Sequence, residues 1–95
     1  MTVRRQHLSA LAAAIGELAP LAAPADVLLH QFFRRHREMG QHDRSFVAEG
    51  VFAWLRRRRS LEHLAGTREP AKLALAVAVR ELGLSLRELE PALRS

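Results

Sequence analysis

The chain has 95 residues, 48% of them apolar and 26% charged, a composition typical of one globular domain. It contains no cysteine, which excludes thiolate nucleophiles, disulfides and cysteine-based zinc sites. The net charge of +5 lies entirely in residues 1–60, which hold ten arginines and five acidic residues. A basic face there would suit a polyanion, although the dominance of arginine over lysine also follows from a GC-rich genome.

The N-terminal stretch superficially resembles a signal peptide, because two arginines precede an alanine-rich run. His7, Glu17 and Pro20 interrupt that run, and no apolar stretch of the chain is long enough to span a membrane. Its apolar residues instead recur at helical spacing: Leu8, Leu11, Ile15 and Leu18. The stretch therefore predicts a first helix over about residues 3–18 of a cytoplasmic domain with no membrane partner.

A second helix is predicted over residues 24–40. Pro24 suits its first turn, Asp26 complements the positive end of the helix dipole, and Gly40 is expected to end it as a left-handed cap. His36 lies on the apolar side and is interpreted as a hydrogen-bonded core histidine. The opposite side is basic and carries His30, Arg34 and Arg37.

The central helix begins near His42 or Asp43, whose carboxylate is expected to accept hydrogen bonds from free backbone N–H groups. Its apolar residues fall in one arc: Val47, Val51, Trp54 and Leu55. Arg44 projects close to that arc and needs a partner there. We expect it to pair with a carboxylate or with the last carbonyls of the preceding helix; the functional alternative is a contact to RNA.

Four consecutive arginines, Arg56 to Arg59, follow and fan out around the helix. Arg58 would lie over the apolar arc, which indicates that the helix bends or stops there. Ser60 is then expected to cap a short helix that ends at Gly66 and turns three residues toward the core: Leu61, Leu64 and Ala65. The arginines fit two interpretations equally, an ordinary solvated surface or a phosphate-binding cluster together with Arg34 and Arg37.

The last part of the chain predicts a buried helix from Pro70, since its residues are apolar on almost every side. Gly83 ends this helix, and the Ser85–Glu88 spacing is a capping box that opens another one. Pro91 is expected to stop that last helix after a turn or two. These elements together predict an all-α bundle of about five helices in a single domain over residues 1–95.

No catalytic, cofactor-binding or metal-binding set of residues is predicted. The sequence lacks a Gly-rich phosphate loop, and its five histidines are scattered. Ser45, Asp43 and His42 lie together only because they begin a helix. The chain alone is therefore not expected to be an enzyme.

The block FFRRHREMGQHDRSFVAEGVFAWLRRRRSLEHLAG resembles the N-terminal region of the RsmB/Nop-type RNA cytosine methyltransferases. That family has an Asp-Arg pair at a helix start, then an aromatic or aliphatic residue, a glutamate and a Leu-Arg ending. The residues that match in order are Asp43, Arg44, Phe46, Val47, Glu49, Val51, Leu55 and Arg56. The match covers about residues 24–66, and the outer helices agree only in pattern.

The resemblance implies an all-helical, NusB-like domain that binds rRNA or tRNA ahead of a methylase domain dependent on S-adenosylmethionine. This chain would then be an N-terminal piece that positions RNA, with the cofactor and the catalytic cysteine on the missing domain. That C-terminal methylase domain would be its second partner. The residues expected to contact RNA are Arg34, Arg37, Arg56, Arg57 and Arg59.

Two other functions stay open from the sequence. The chain could be a helical protein-interaction module that docks on the methylase domain or another factor without touching RNA. It could also be a free-standing small regulator. An RNA-independent complex would favour the first of these, and further coding sequence with a cofactor loop and a Pro-Cys motif would exclude the second.

Overall fold

The computed structural model describes residues 3–93 and confirms that the fold is an all-helical bundle. It has six helices rather than about five, because the two short segments predicted near Leu61 and Leu86 both form separate helices. The six are α1 (Arg5–Leu18), α2 (Ala25–Arg35), α3 (Gln41–Arg56), α4 (Arg58–Ala65), α5 (Pro70–Arg80) and α6 (Leu86–Leu93). None of these helices is long and apolar enough to cross a membrane.

The core lies around α1, which packs most extensively against α5 and next against α3. Leu11, Ile15 and Leu18 are buried on α1 as their spacing predicted, Leu8 is half-buried, and Ala14 is buried with them. Burying this apolar surface is the main force that holds the helices together. The largest fully buried side chains are Trp54, Phe32, Leu11, Ile15, Leu18, Leu61, Leu73 and Leu89.

Gly50 sets how closely α1 and α3 approach. A Cβ atom at this position would lie 2.7 Å from Cδ1 and 2.8 Å from Cδ2 of Leu11. Carbon atoms that are not bonded to each other need about 3.5 Å, so any side chain here would displace the buried leucine. The missing side chain therefore lets Leu11 pack directly on the α3 backbone.

The predicted end of α2 is wrong by five residues. The helix stops at Arg35, and Gly40 has a φ of −78° and precedes α3 instead of capping α2 in the left-handed region. His36 ends the helix with a φ of −120° and tilts its ring against Phe32, with 4.3 Å between ring centroids. Its Nε2 lies 3.3 Å from Glu17 Oε2, so this histidine is hydrogen-bonded as expected, but at the edge of the core.

The backbone breaks at Arg57, where φ is −128° and ψ is 34°, which confirms the expected stop of the central helix. Ser60 is not a cap, because α4 already begins at Arg58. Leu61 is buried as predicted, whereas Leu64 points to solvent and is 53% exposed. Gly66 ends α4 with a φ of +69°, the left-handed conformation that glycine adopts most readily.

Pro70 opens α5, and Gly83 follows its end with a φ of +67°. The capping box also forms: the Glu88 N–H donates to Ser85 Oγ at 3.2 Å, and the Ser85 N–H donates to Glu88 Oε1 at 3.0 Å. These hydrogen bonds lower the pKa of Glu88. Pro91 does not stop α6, which continues to Leu93.

Candidate nucleic-acid interface

Four basic side chains, from α2, the turn after it and α3, line a depression of about 370 Å³ together with Phe33. We call His30, Arg34, Arg37 and Arg44 the α2–α3 cluster. His30 and Arg34 are four residues apart on α2 and therefore lie on one side of it, and Arg37, in the turn after the helix, lines the same depression. Arg44 reaches the same depression from the first turns of α3. All four are exposed to solvent.

Arg44 has a different partner from the one expected. It forms no ion pair and no hydrogen bond to a helix carbonyl within residues 3–93; its guanidinium carbon lies 5.9 Å from the centroid of the Phe33 ring. An exposed contact of this kind between a cation and an aromatic ring contributes about 0.5–1 kcal/mol. It orients the guanidinium group beside Arg34 and Arg37 and leaves its N–H donors free.

No carboxylate lines this depression. Across the described part of the chain, no ion pair involves His30, Arg34, Arg37 or Arg44. Arg35, by contrast, faces the other way and binds Glu17 of α1. The three arginines at the end of α2 and in the turn after it are thus divided into one that links two helices and two that face solvent with no carboxylate paired to them.

The four arginines of the Arg56–Arg59 run, here the junction cluster, lie at the opposite end of α3. Arg44 and Arg56 are twelve residues apart on this helix, a separation of about 18 Å along its axis. The structure therefore brings Arg34 and Arg37 together with Arg44, and not with Arg56, Arg57 or Arg59. One small ligand therefore cannot touch both clusters.

Two arginines of the junction cluster form ion pairs with carboxylates. Arg57 Nε lies 3.4 Å from Glu81 Oε1, and Arg58 Nε donates to Glu62 Oε2 at 3.1 Å. Arg58 also lies over the ring of Trp54, with 4.7 Å from its guanidinium carbon to the ring centroid. Arg56 and Arg59 are exposed and have no ion pair among the described residues. Half of this run is therefore already neutralised by the fold.

A second polar site joins α1 to α3 and was not predicted. His7 Nδ1 accepts a hydrogen bond from the Arg4 N–H at 2.9 Å, so the proton is on Nε2, which lies 3.0 Å from Asp43 Oδ1. The ring also stacks on Phe46 at 5.5 Å. Asp43 thus binds a histidine of another helix instead of capping α3. The depression that includes both His7 and Asp43 has no hydroxyl or thiol in its described lining.

The resemblance implies that S-adenosylmethionine binds to a separate methylase domain. A nucleoside cofactor is usually held by a Gly-rich turn between a strand and a helix, and residues 3–93 contain no strand. No group of three His, Asp or Glu side chains in the described residues could hold a metal ion. The surface that stands out chemically is therefore the α2–α3 cluster.

Comparison with known proteins finds no family model, no curated protein and no solved structure that matches this chain.

Proposed function

We propose that this chain is an RNA-binding domain that positions RNA for a cytosine-5 methyltransferase of the RsmB/Nop type and does not catalyse the reaction itself. The observation that carries the proposal is the α2–α3 cluster, in which four basic side chains meet around an aromatic ring with no carboxylate beside them. Arginine N–H groups of this kind bind phosphate oxygens, which fixes the position of an RNA without reading its bases.

The NusB-like architecture, the rRNA or tRNA ligand and the methylase partner are parts of this proposal that rest on the sequence resemblance. The six-helix bundle is compatible with them. Phe33 is half-buried and holds Arg44, so its main contribution is to orient the cation, not to stack on a base.

The test is binding of a fluorescently labelled RNA hairpin, titrated at several salt concentrations. Arg34→Ala/Arg37→Ala/Arg44→Ala removes three charges from the α2–α3 cluster, and Arg56→Ala/Arg57→Ala/Arg59→Ala removes the same number from the junction cluster. Each phosphate contact contributes about 0.7–0.9 to the slope of log K against log salt. We expect the first variant to flatten the slope by about 2–3 and to weaken binding by at least tenfold at low salt.

The junction variant is the matched control, because its net charge is identical and only the position of the lost charges differs. It also tests the sequence prediction for Arg56, Arg57 and Arg59, which stays a prediction. An equal loss in both variants would contradict the assignment of RNA binding to the α2–α3 cluster. Absence of binding by the wild type at low salt would sink the proposal and favour a protein-interaction module without RNA contact.

A further inference from the structure

The helix α5 is apolar on almost every side, yet the bundle buries only one of them. Leu73, Ala74, Val77 and Ala78 face the core, whereas Leu75 and Ala76 are half-buried and Val79 is 43% exposed. A helix that is apolar all round is typical of positions covered on all sides. The outer side of α5 is therefore as apolar as a buried surface, although it is exposed to solvent or only half-buried.

This outer side forms a groove with α4. The groove has a volume of about 540 Å³, and its apolar walls are Leu64 and Ala65 of α4 with Leu75, Ala76 and Val79 of α5. Leu64 was predicted to face the core and instead points into this groove, 53% exposed. Its exposure needs an explanation, because contiguous apolar surface on a soluble domain usually marks an interaction site.

A second depression continues the apolar surface past Leu75. It is about 220 Å³ in volume, shares Leu75 with the groove and ends at Leu93 of α6, which is 52% exposed. Three of the six large apolar side chains exposed on the described residues, Leu64, Val79 and Leu93, thus lie along one strip across α5. The other three lie on α2, α3 and the segment after α1, outside both depressions.

Cations mark the edges of this strip. Lys72 and Arg80 border the groove eight residues apart, about 12 Å along the helix axis, and Arg5 borders the second depression. No acidic side chain lines either one. Lys72 has only a weak, exposed contact with Glu69 at 3.8 Å, and Arg80 has no ion pair within residues 3–93.

We propose that the outer side of α5, together with Leu64, binds an amphipathic helix of a partner protein whose apolar stripe is bordered by Glu or Asp. The apolar strip would cover the stripe, and Lys72 and Arg80 would pair with the acidic residues beside it. A second copy of this chain fits poorly, because a two-fold contact would gather the cations of both copies around one patch. The inference is independent of RNA binding, which uses α2 and α3.

The probe is a pair of designed helical peptides of about 16 residues, long enough for about four turns. Both carry leucine at i, i+3, i+4 and i+7; one has glutamates beside the stripe and the other lysines. We expect the acidic peptide to bind at least tenfold more tightly and to shift the ¹⁵N amide resonances of residues 64–65 and 72–80. Lys72→Glu/Arg80→Glu should reverse this preference.

Val79→Ser should weaken binding of the acidic peptide at least fivefold. Val27→Ser is its matched control, since both valines are 43% exposed and Val27 lies on α2, and it should leave binding unchanged. Equal binding of the two peptides, resonance shifts elsewhere, or no saturation up to about 1 mM, the affinity of very weak complexes, would each overturn the proposal. If sedimentation shows a dimer of the wild type that dissociates in the Val79→Ser variant, the proposal is overturned and the groove binds a second copy of this chain instead.

Discussion

The α2–α3 cluster and the junction cluster each place an arginine over an aromatic ring, but only the junction cluster holds carboxylates beside its cations. Trp54 under Arg58 is fully buried, whereas Phe33 under Arg44 is half-buried. Arg57 and Arg58 of the junction cluster thus hold the structure together at the break between α3 and α4, through their ion pairs and the contact with Trp54. The three arginines of the α2–α3 cluster have no ion pair among the described residues, so their donors stay available. An arginine run in a sequence and an arginine cluster in a structure are therefore different signals.

The largest expected difference concerns the two rings. Trp54→Ala should lower the free energy of unfolding by about 3–5 kcal/mol, because it opens a large cavity in the core. Phe33→Ala should lower it by roughly 1–2 kcal/mol, since this ring is only half-buried and less surface is lost. Urea unfolding measures both values. The buried indole N–H of Trp54 has no acceptor among residues 3–93, so Trp54→Phe should be the mildest change at that position. Equal losses for the two alanine variants would show that the rings have the same structural role.

The second prediction concerns removing the carboxylates from the junction cluster, so that its arginines become unpaired like those of the α2–α3 cluster. Glu62 accepts from Arg58 and lies 3.6 Å from Arg68, and Glu81 pairs with Arg57. In a protein that already carries Arg34→Ala/Arg37→Ala/Arg44→Ala, Glu62→Gln with Glu81→Gln should regain RNA affinity severalfold, because unpaired arginines attract phosphate more strongly. The RNA titration at low salt measures this gain.

The control for this double variant must also remove two negative charges, but at positions far from the junction cluster. Asp26→Asn with Glu49→Gln neutralises two exposed carboxylates that have no ion pair in the described chain. We expect this pair to restore much less affinity. A similar gain from both pairs would mean that net charge alone, and not the release of particular arginines, controls binding.

The smallest expected effect depends on pH and concerns Arg35, which pairs with Glu17, whereas its neighbour Arg34 on α2 has no ion pair among the described residues. Burial alone would raise the pKa of Glu17, but hydrogen bonds from Arg35 and His36 and their positive charges outweigh it and lower the pKa. A lowered folded-state pKa stabilises the protein above the unfolded-state pKa, and this stabilisation is lost as the pH falls. Because the carboxylate is 36% exposed and screened by water, we expect less than about 0.5 kcal/mol.

Glu17→Gln should therefore be less stable than the wild type at pH 6, and the difference should disappear as the pH falls from about 5 to 3. Thermal unfolding across this range measures it, with Glu49→Gln as the control. RNA binding at pH 6 should not change, since Arg35 faces away from the α2–α3 cluster. A difference that persists at pH 3 would show that Glu17 stabilises the fold by packing rather than by charge.

Local signals were predicted well from the sequence. The end of α4 at Gly66, the Ser85–Glu88 capping box and the buried side of α1 each depend on residues a few positions apart, and all three were confirmed. The end of α2, the exposure of Leu64 and the partner of Arg44 depend on how helices meet. No periodicity within one helix contains that information.

The candidate site shows the same division. The sequence predicted that His30, Arg34 and Arg37 share one side of α2; all three line one depression, but Arg37 lies in the turn after the helix. It could not show that Arg44 joins them and that Arg56, Arg57 and Arg59 do not, because both facts follow from the direction and length of α3. The family resemblance and the RNA ligand remain predictions.

The central position of α1 has a consequence for the synthesis of the chain. Its main packing partner, α5, follows it by about fifty residues, so translation at 5–20 residues per second leaves the first helix without this partner for several seconds. During that time Leu11 and Ile15 can pack only on α2, α3 or a chaperone. The contact between α1 and α5 can thus form only after α1 has met α2 and α3, although it is the most extensive of the three.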